Sequence, residues 1–236
     1  MHSEIITRIR QDLAGNADEE TKNSSRRFFK ETVQLYGVKS APVRKISHQY
    51  FREIRGLDRD GIFTLCEELL QSGYLEEAMI AYDWADRIHR RFEPEDFLVL
   101  ERWLSSYVSN WAECDTLCNH AVGSFLEQYP EFLSRLKGWA RSENRWIRRG
   151  AAVSLVLPAR RGKFLGEIFG IADILLKDPE DLVRKGYGWM LKEAGKSHRD
   201  EVFAYVMRHR HEMPRTALRY AIEKMPEEMR KQAMER

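Results

Sequence analysis

The sequence predicts an all-α fold, an α-solenoid of antiparallel helix pairs, and three observations carry that prediction. Strand signals are nearly absent, with no long β-branched alternation and no Asn-Gly or Asp-Gly hairpin. Apolar residues recur at three- and four-residue intervals along most of the chain. One block also returns 36 residues after its first appearance.

Taken in order, Gly15 stands where a first helix would stop, and "RRFFKETVQLY" (26–36) reads as a helix ended by Gly37. "FREI" (51–54) and "EELL" (67–70) read as helices ended by Gly56 and Gly73. "YLEEAMIAYDWADRI" (74–88), "EDFLVLERWLSSYV" (95–108) and "EVFAYVMRHR" (201–210) carry the same periodicity. Pro42, Pro94, Pro130, Pro179, Pro214 and Pro226 each precede a periodic stretch, where a missing N–H costs a helix nothing. About a dozen helices with short connections are expected.

Composition sets the class. At 236 residues, 43% hydrophobic and 32% charged, the chain is a soluble globular protein able to bury a core. No apolar run approaches the ~20 residues of a membrane span, "AAVSLVL" (151–157) being among the longest. The start "MHSEIITRIR" lacks a signal-peptide pattern, and Cys66, Cys114 and Cys118 form no disulfide framework. A cytoplasmic protein with reduced thiols is expected. The net charge of +2 hides an asymmetry. Residues 1–134 hold 16 basic and 23 acidic side chains, a net of −7, whereas 135–236 hold 23 and 14, a net of +9. A basic half on a nearly neutral chain points to a polyanion partner.

The repeat gives the architecture. "RWIRRGAA" (145–152) and "DLVRKGYG" (181–188) superpose at an offset of 36, with Trp146 over Leu182, Arg148 over Arg184, Arg149 over Lys185 and Gly150 over Gly186. "YLEEAM" (74–79) and "ALRYAI" (217–222) extend the pattern backward and forward. A period of 35–40 residues of paired helices is that of HEAT or armadillo repeats. The expected fold is a HEAT-like solenoid whose second helices line a concave basic groove. There Arg148/Arg149 and Arg184/Lys185 would recur like rungs for successive phosphates.

Three constellations invite chemistry. In "NWAECDTLCNH" (110–120), Trp111 and Asp115 stand four apart and share a helix face. They read either as a core indole with an acidic residue early in a helix, or as an aromatic ring placed beside a working carboxylate. Cys114, Cys118 and His120 lack a second metal-ligand pair, so no metal is expected. In "GYGWMLKEAGK", Trp189 follows Lys185 by one turn, and Gly186 and Gly188 imply close approach by a neighbouring helix or by a ligand. No P-loop, dinucleotide fingerprint, H-E-x-x-H or G-x-S-x-G is present.

Four blocks together resemble the DNA alkylation repair family, specifically its AlkD-like DNA glycosylases: "YGVKSAPVRKI" (36–46), "VSNWAECDTLCNHAVGSFL" (108–126), "ENRWIRRGAA" (143–152) and "VRKGYGWMLKEAGK" (183–196). The resemblance runs over most of the length and implies one HEAT-like repair domain over 1–236, acting as a monomer on double-stranded DNA without cofactor. It implies excision of N3- and N7-alkylated purines such as 3-methyladenine and 7-methylguanine, with the base not flipped. Trp111, Asp115 and Trp189 fall at the family's catalytic positions and Arg149 at a DNA-contacting one. Arg148, Arg184, Lys185, Lys192 and Phe28 complete the expected DNA face. Phe28 departs from the pattern, since a tyrosine is usual there.

The implied chemistry suits one carboxylate. A purine alkylated at N3 or N7 is already cationic and leaves without protonation, so the usual pair of glycosidase acids is unnecessary. Asp115 would stabilise the developing oxocarbenium ion and orient water. A strict offset of 36 would put Asp115 and Arg149 on opposite helix faces; the resemblance favours 34 at that step, which aligns them. Two other functions fit the repeat: a non-catalytic module for DNA of unusual shape, and a protein-binding solenoid.

Overall fold

The computed structural model describes residues 2–235. Among them there is no strand, and the single β-bridge joins Gln34 to Tyr74. The chain forms two compact units, 1–117 and 118–236. The first contains α1 (His2–Gly15), α2 (Glu19–Arg26), α3 (Ser40–Ile54), α4 (Arg59–Leu70), α5 (Leu75–Arg87), α6 (Asp96–Ser106) and α7 (Trp111–Thr116). A π-helical stretch, Leu117–Val122, follows α7. The second unit contains α8 (Gly123–Gln128), α9 (Leu136–Trp139), α10 (Arg145–Val153), α11 (Val156–Arg160), α12 (Leu165–Leu175), α13 (Asp181–Ala194), α14 (Arg199–His209), α15 (Arg215–Ile222) and α16 (Glu227–Met234).

The repeat is legible in where helices start. The residues capping α3, α5, α7, α10, α13 and α15 are Lys39, Tyr74, Asn110, Asn144, Glu180 and Pro214. Their intervals are 35, 36, 34, 36 and 34 residues. Within the first unit α3 packs on α5 and α5 on α7; within the second α10 packs on α13 and α13 on α15. Each of these helices is a repeat's second member. The first member α4 packs on α5, and only four residues (71–74) join them, so the pair must fold back as a hairpin. The fold is therefore all-α and HEAT-like in its repeat. The step from Asn110 to Asn144 is 34, the register that aligns Asp115 with Arg149 in sequence.

One expected element is absent. "RRFFKETVQLY" carries helical periodicity, yet α2 ends at Arg26 and residues 29–39 have no helix. Val33 and Leu35 are buried while Gln34 is exposed, a two-residue alternation. Neighbouring groups satisfy this backbone better than a helix would. Leu75 N–H donates to the Gln34 carbonyl at 3.0 Å. The Glu76 carboxylate accepts from the N–H groups of Tyr36 (3.1 Å), Gly37 (2.9 Å) and Val38 (3.1 Å). Gly37 sits at φ 92°, and a Cβ there would come within 2.6 Å of the Asp18 carbonyl oxygen. No other residue fits.

The cores are rich in aromatic rings. Trp84 and Trp103 are fully buried, and their indole N–H groups donate to the Ser47 carbonyl (3.0 Å) and the Glu67 carboxylate (2.7 Å). In the second unit α13 is the spine, touching α10, α11, α12, α14 and α15. Gly188 is why α15 can lie so close: a Cβ would meet Tyr220 Cβ at 2.7 Å and the Ala217 carbonyl oxygen at 2.8 Å. A Cβ on Gly186 would meet the Arg149 side chain at 3.4 Å. Of the two approaches left open by sequence, both glycines show a protein neighbour. No helix among the described residues is long and apolar enough to cross a membrane.

Candidate functional site

The "NWAECD" segment is fixed by its cap. Asn110 is fully buried and its Oδ1 accepts from the N–H groups of Ala112 (3.0 Å) and Glu113 (3.1 Å), starting α7 at Trp111. Glu113 turns back to accept from the Ser109 N–H (2.8 Å) and hydroxyl (3.1 Å). Burial raises the Glu113 pKa, against the pull of those hydrogen bonds. Of the two acids in the motif, Glu113 is thus committed to holding the helix start. Asp115 is half-buried on a later turn, four residues beyond Trp111.

The Trp111 indole is oriented from the loop after α2. Its Nε1–H donates to the Phe28 carbonyl at 3.2 Å, and its ring stacks on Phe29 with centroids 5.5 Å apart and planes inclined by 22°. The Phe28 side chain is 74% exposed. A phenyl ring there cannot donate the hydrogen bond a tyrosine would, while the backbone carbonyl does the positioning.

Burial separates the tryptophans. Trp84, Trp103, Trp139 and Trp146 are core residues, at most 7% exposed. Trp111 and Trp189 are the two of the six that are half-buried. The reading of Trp111 as an ordinary core indole fits poorly with this. Trp189 lies on α13 between Lys185, one turn before it, and Lys192, one turn after.

Each expected basic residue has a defined setting within the second unit. Arg148 is held: Nε and Nη2 donate to the Asp178 carboxylate at 2.6 and 3.3 Å, and Nη1 to the carbonyls of Ser142 (2.8 Å) and Glu143 (2.9 Å). Arg184 Nε donates to the Asp178 carbonyl at 2.6 Å. Arg149 is 5% exposed and donates to the Leu182 carbonyl. The three tie α10 and the 176–180 loop to α13. Burying a guanidinium demands such acceptors. Lys185 pairs with Asp181 at 2.8 Å with its side chain 37% exposed, and Lys192 with Glu223 at 3.1 Å. Cys114 and Cys118 are fully buried, His120 is exposed, and the described residues contain no group of three metal-ligand side chains.

Counting from the caps exposes residues that motif reading missed. The fifth residue after the cap is Arg44, Met79 and Asp115 in the first unit, and Arg149, Lys185 and Arg219 in the second. Four of the six are cationic and Asp115 is the sole anion. Arg44 and Arg219 are exposed. The signal for them was the helix-start period, visible only once the caps are known.

A family model described as DNA alkylation repair enzyme matches residues 9–225, which takes in all four sequence blocks and most of each unit. The chain belongs to that family. Among solved structures, this repair-family chain is similar to a predicted DNA alkylation repair enzyme from Enterococcus faecalis, with a TM-score of 0.80 and 17% identity over 90% of this chain and 98% of that one. It is also similar to the Pseudomonas fluorescens alkylpurine DNA glycosylase AlkC, solved bound to DNA containing an abasic site analog. There the TM-score is 0.52 and the identity 18%, over 78% of this chain and 52% of the other. No curated protein matches it. At these identities the two structures establish the shared fold. Cut at its two units, the repair-family chain divides into a first with 16 basic and 21 acidic residues, net −5, and a second with 23 and 16, net +7.

Proposed function

We propose that this DNA alkylation repair family member is a monofunctional DNA glycosylase, acting as a monomer with residues 1–236 as one functional domain. It hydrolyses the N-glycosidic bond of cationic N3- and N7-alkylated purines in duplex DNA. The carrying observation is that Trp111, one of the two half-buried tryptophans, is held with a fixed ring plane one turn from Asp115.

The chemistry follows from charge. As the C1′–N bond breaks, its electron pair goes to the purine, which departs neutral because the alkyl group had already made it cationic. Positive charge develops on the sugar. The Asp115 carboxylate stabilises that cation, orients a water toward C1′ and accepts its proton. Trp111 and Trp189 offer electron-rich ring faces to the cation, each worth roughly 0.5–2 kcal/mol depending on desolvation. The base remains stacked, so no enclosing aromatic pocket is required. Lys185, Lys192 and the exposed Phe28 contact the DNA. Arg148, Arg149 and Arg184 add positive potential while their hydrogen bonds go within the protein.

The purified chain should release 3-methyladenine or 7-methylguanine from N-methylated duplex DNA, measured by chromatography. Release no faster than the spontaneous rate overturns the proposal and leaves a DNA- or protein-binding solenoid.

A further inference from the structure

The second unit has a cleft of about 200 Å³ where the C-terminal end of α13, the start of α14 and the end of α15 meet. Its walls include Lys192, Lys196, Arg199, Lys224, Gly195 and Met225, with four cations and no acid in the lining. The acids that touch these cations stand outside it. Glu223 takes Lys192 at 3.1 Å and Lys224 at 3.2 Å, and Glu193 takes Lys196 at 2.6 Å and Arg160 at 2.7 Å. Arg199 is exposed and makes no ion pair among the described residues. Asp200 and Glu201 follow Arg199, exposed and outside the lining. Four lining cations against two contacting carboxylates leave the cleft with an excess of positive charge. Its volume corresponds to about seven waters at about 30 Å³ each, which is room for one phosphodiester group and its immediate hydration.

The cleft also continues a stripe. Lys185, Trp189 and Lys192 follow one another at intervals of four and three residues on α13, so they share one helix face, and Lys196 stands in the turn just past the helix end. At about 1.5 Å per residue the helical part of the stripe, from Lys185 to Lys192, runs roughly 10 Å and leads into the cleft. We infer that the cleft is a backbone-phosphate clamp that grips a DNA strand at the far end of the α13 face. The inference rests on the DNA reading above and adds a gripping point made of residues other than the proposed catalytic ones. It supplies affinity and register, and takes no part in bond cleavage.

The test is the salt dependence of affinity for undamaged duplex, measured by fluorescence anisotropy over a series of salt concentrations. Removing one phosphate contact lowers the slope of log affinity against log salt by about 0.9. Arg199→Ala/Lys224→Ala should show that loss, while base release at saturating DNA stays as in the unaltered chain. Lys137→Ala/Lys231→Ala removes the same charge elsewhere on the second unit and should leave the slope unchanged. Circular dichroism checks folding, and Arg199→Gln/Lys224→Gln repeats the test with longer neutral side chains. An unchanged slope in the cleft variants, or an equal loss in the control pair, overturns the clamp alone. So does loss of stabilisation by inorganic phosphate at constant ionic strength with DNA binding intact, which would assign the cleft to a free phosphate. Failure of the unaltered chain to bind DNA at all overturns both the clamp and the DNA reading.

Discussion

Two glycines two residues apart on α13, Gly186 and Gly188, should respond to the same substitution in opposite directions. At Gly188 a new Cβ would lie 2.7 Å from Tyr220 Cβ, 2.8 Å from the Ala217 carbonyl oxygen and 3.2 Å from Ala217 Cα. Two of these are backbone atoms of α15, and the third is a Cβ fixed to that backbone, so no rotamer relieves the clash. Helix α15 must move away from α13, the spine of the second unit. Overpacking of this kind costs about 1–3 kcal/mol, and backbone contacts place it near 3. Alanine returns about 1 kcal/mol of helix propensity, leaving Gly188→Ala less stable by roughly 2 kcal/mol. At Gly186 the nearest atoms are Arg149 Cγ and Nη1 at 3.4 Å, an ordinary contact with a side chain. Gly186→Ala therefore keeps most of the propensity gain, about 0.8–1 kcal/mol. Thermal unfolding followed by circular dichroism should show Gly188→Ala lowered by roughly 4–8 °C and Gly186→Ala raised by about 2–4 °C. A Gly188→Ala variant as stable as Gly186→Ala would refute the claim that α13 and α15 touch through backbone.

Two further substitutions probe the first unit. Phe29→Leu removes the ring stacked on Trp111 but keeps the Phe28 carbonyl; an aromatic pair is worth about 0.5–1.5 kcal/mol, so single-turnover base release should fall roughly 2- to 10-fold. DNA affinity should hold, and an unchanged rate would mean that Phe29 does not set the indole. Glu67 is partly desolvated, which pushes its pKa up, but hydrogen bonds from Arg102, Tyr107 and Trp103 prevail and hold it below the usual carboxylate range. A depressed folded pKa contributes stability above the unfolded value of 4.5 and loses it as pH falls through the folded one. Glu67→Gln should accordingly cost roughly 2 kcal/mol near neutrality. The gap to the unaltered chain should close below pH 4.5 in urea titrations; a constant gap across pH would contradict the charge argument.

Much of the fold was legible because helix signals reinforce one another. Pro214 and Pro226 stand directly before α15 and α16, Gly73 turns the chain at φ 72° between α4 and α5, and the 36-residue offset between "RWIRRGAA" and "DLVRKGYG" is the cap-to-cap distance from Asn144 to Glu180. The stretch 26–36 misled because its helical periodicity competes with acceptors that are distant in sequence, the Glu76 carboxylate above all. At the site, sequence singled out Trp111 and Trp189 as candidate chemistry, and their half-exposure sets them apart from four core indoles. It could not see that Arg148 and Arg184 both turn to Asp178, since nothing in the spacing marks an acid 30 residues from Arg148 as their shared partner. Nor could it see Arg44 and Arg219, which emerge only when residues are counted from helix starts.

The role of Asp115 is tested most directly by comparing Asp115→Asn with the unaltered chain on one alkylated duplex, reading single-turnover purine release and equilibrium affinity side by side. Loss of a well-placed electrostatic stabiliser costs a factor of about 10² to 10³ in rate. That loss is expected in release, with affinity changed several-fold at most. Release preserved within a few-fold, or release and affinity falling by the same factor, would contradict it.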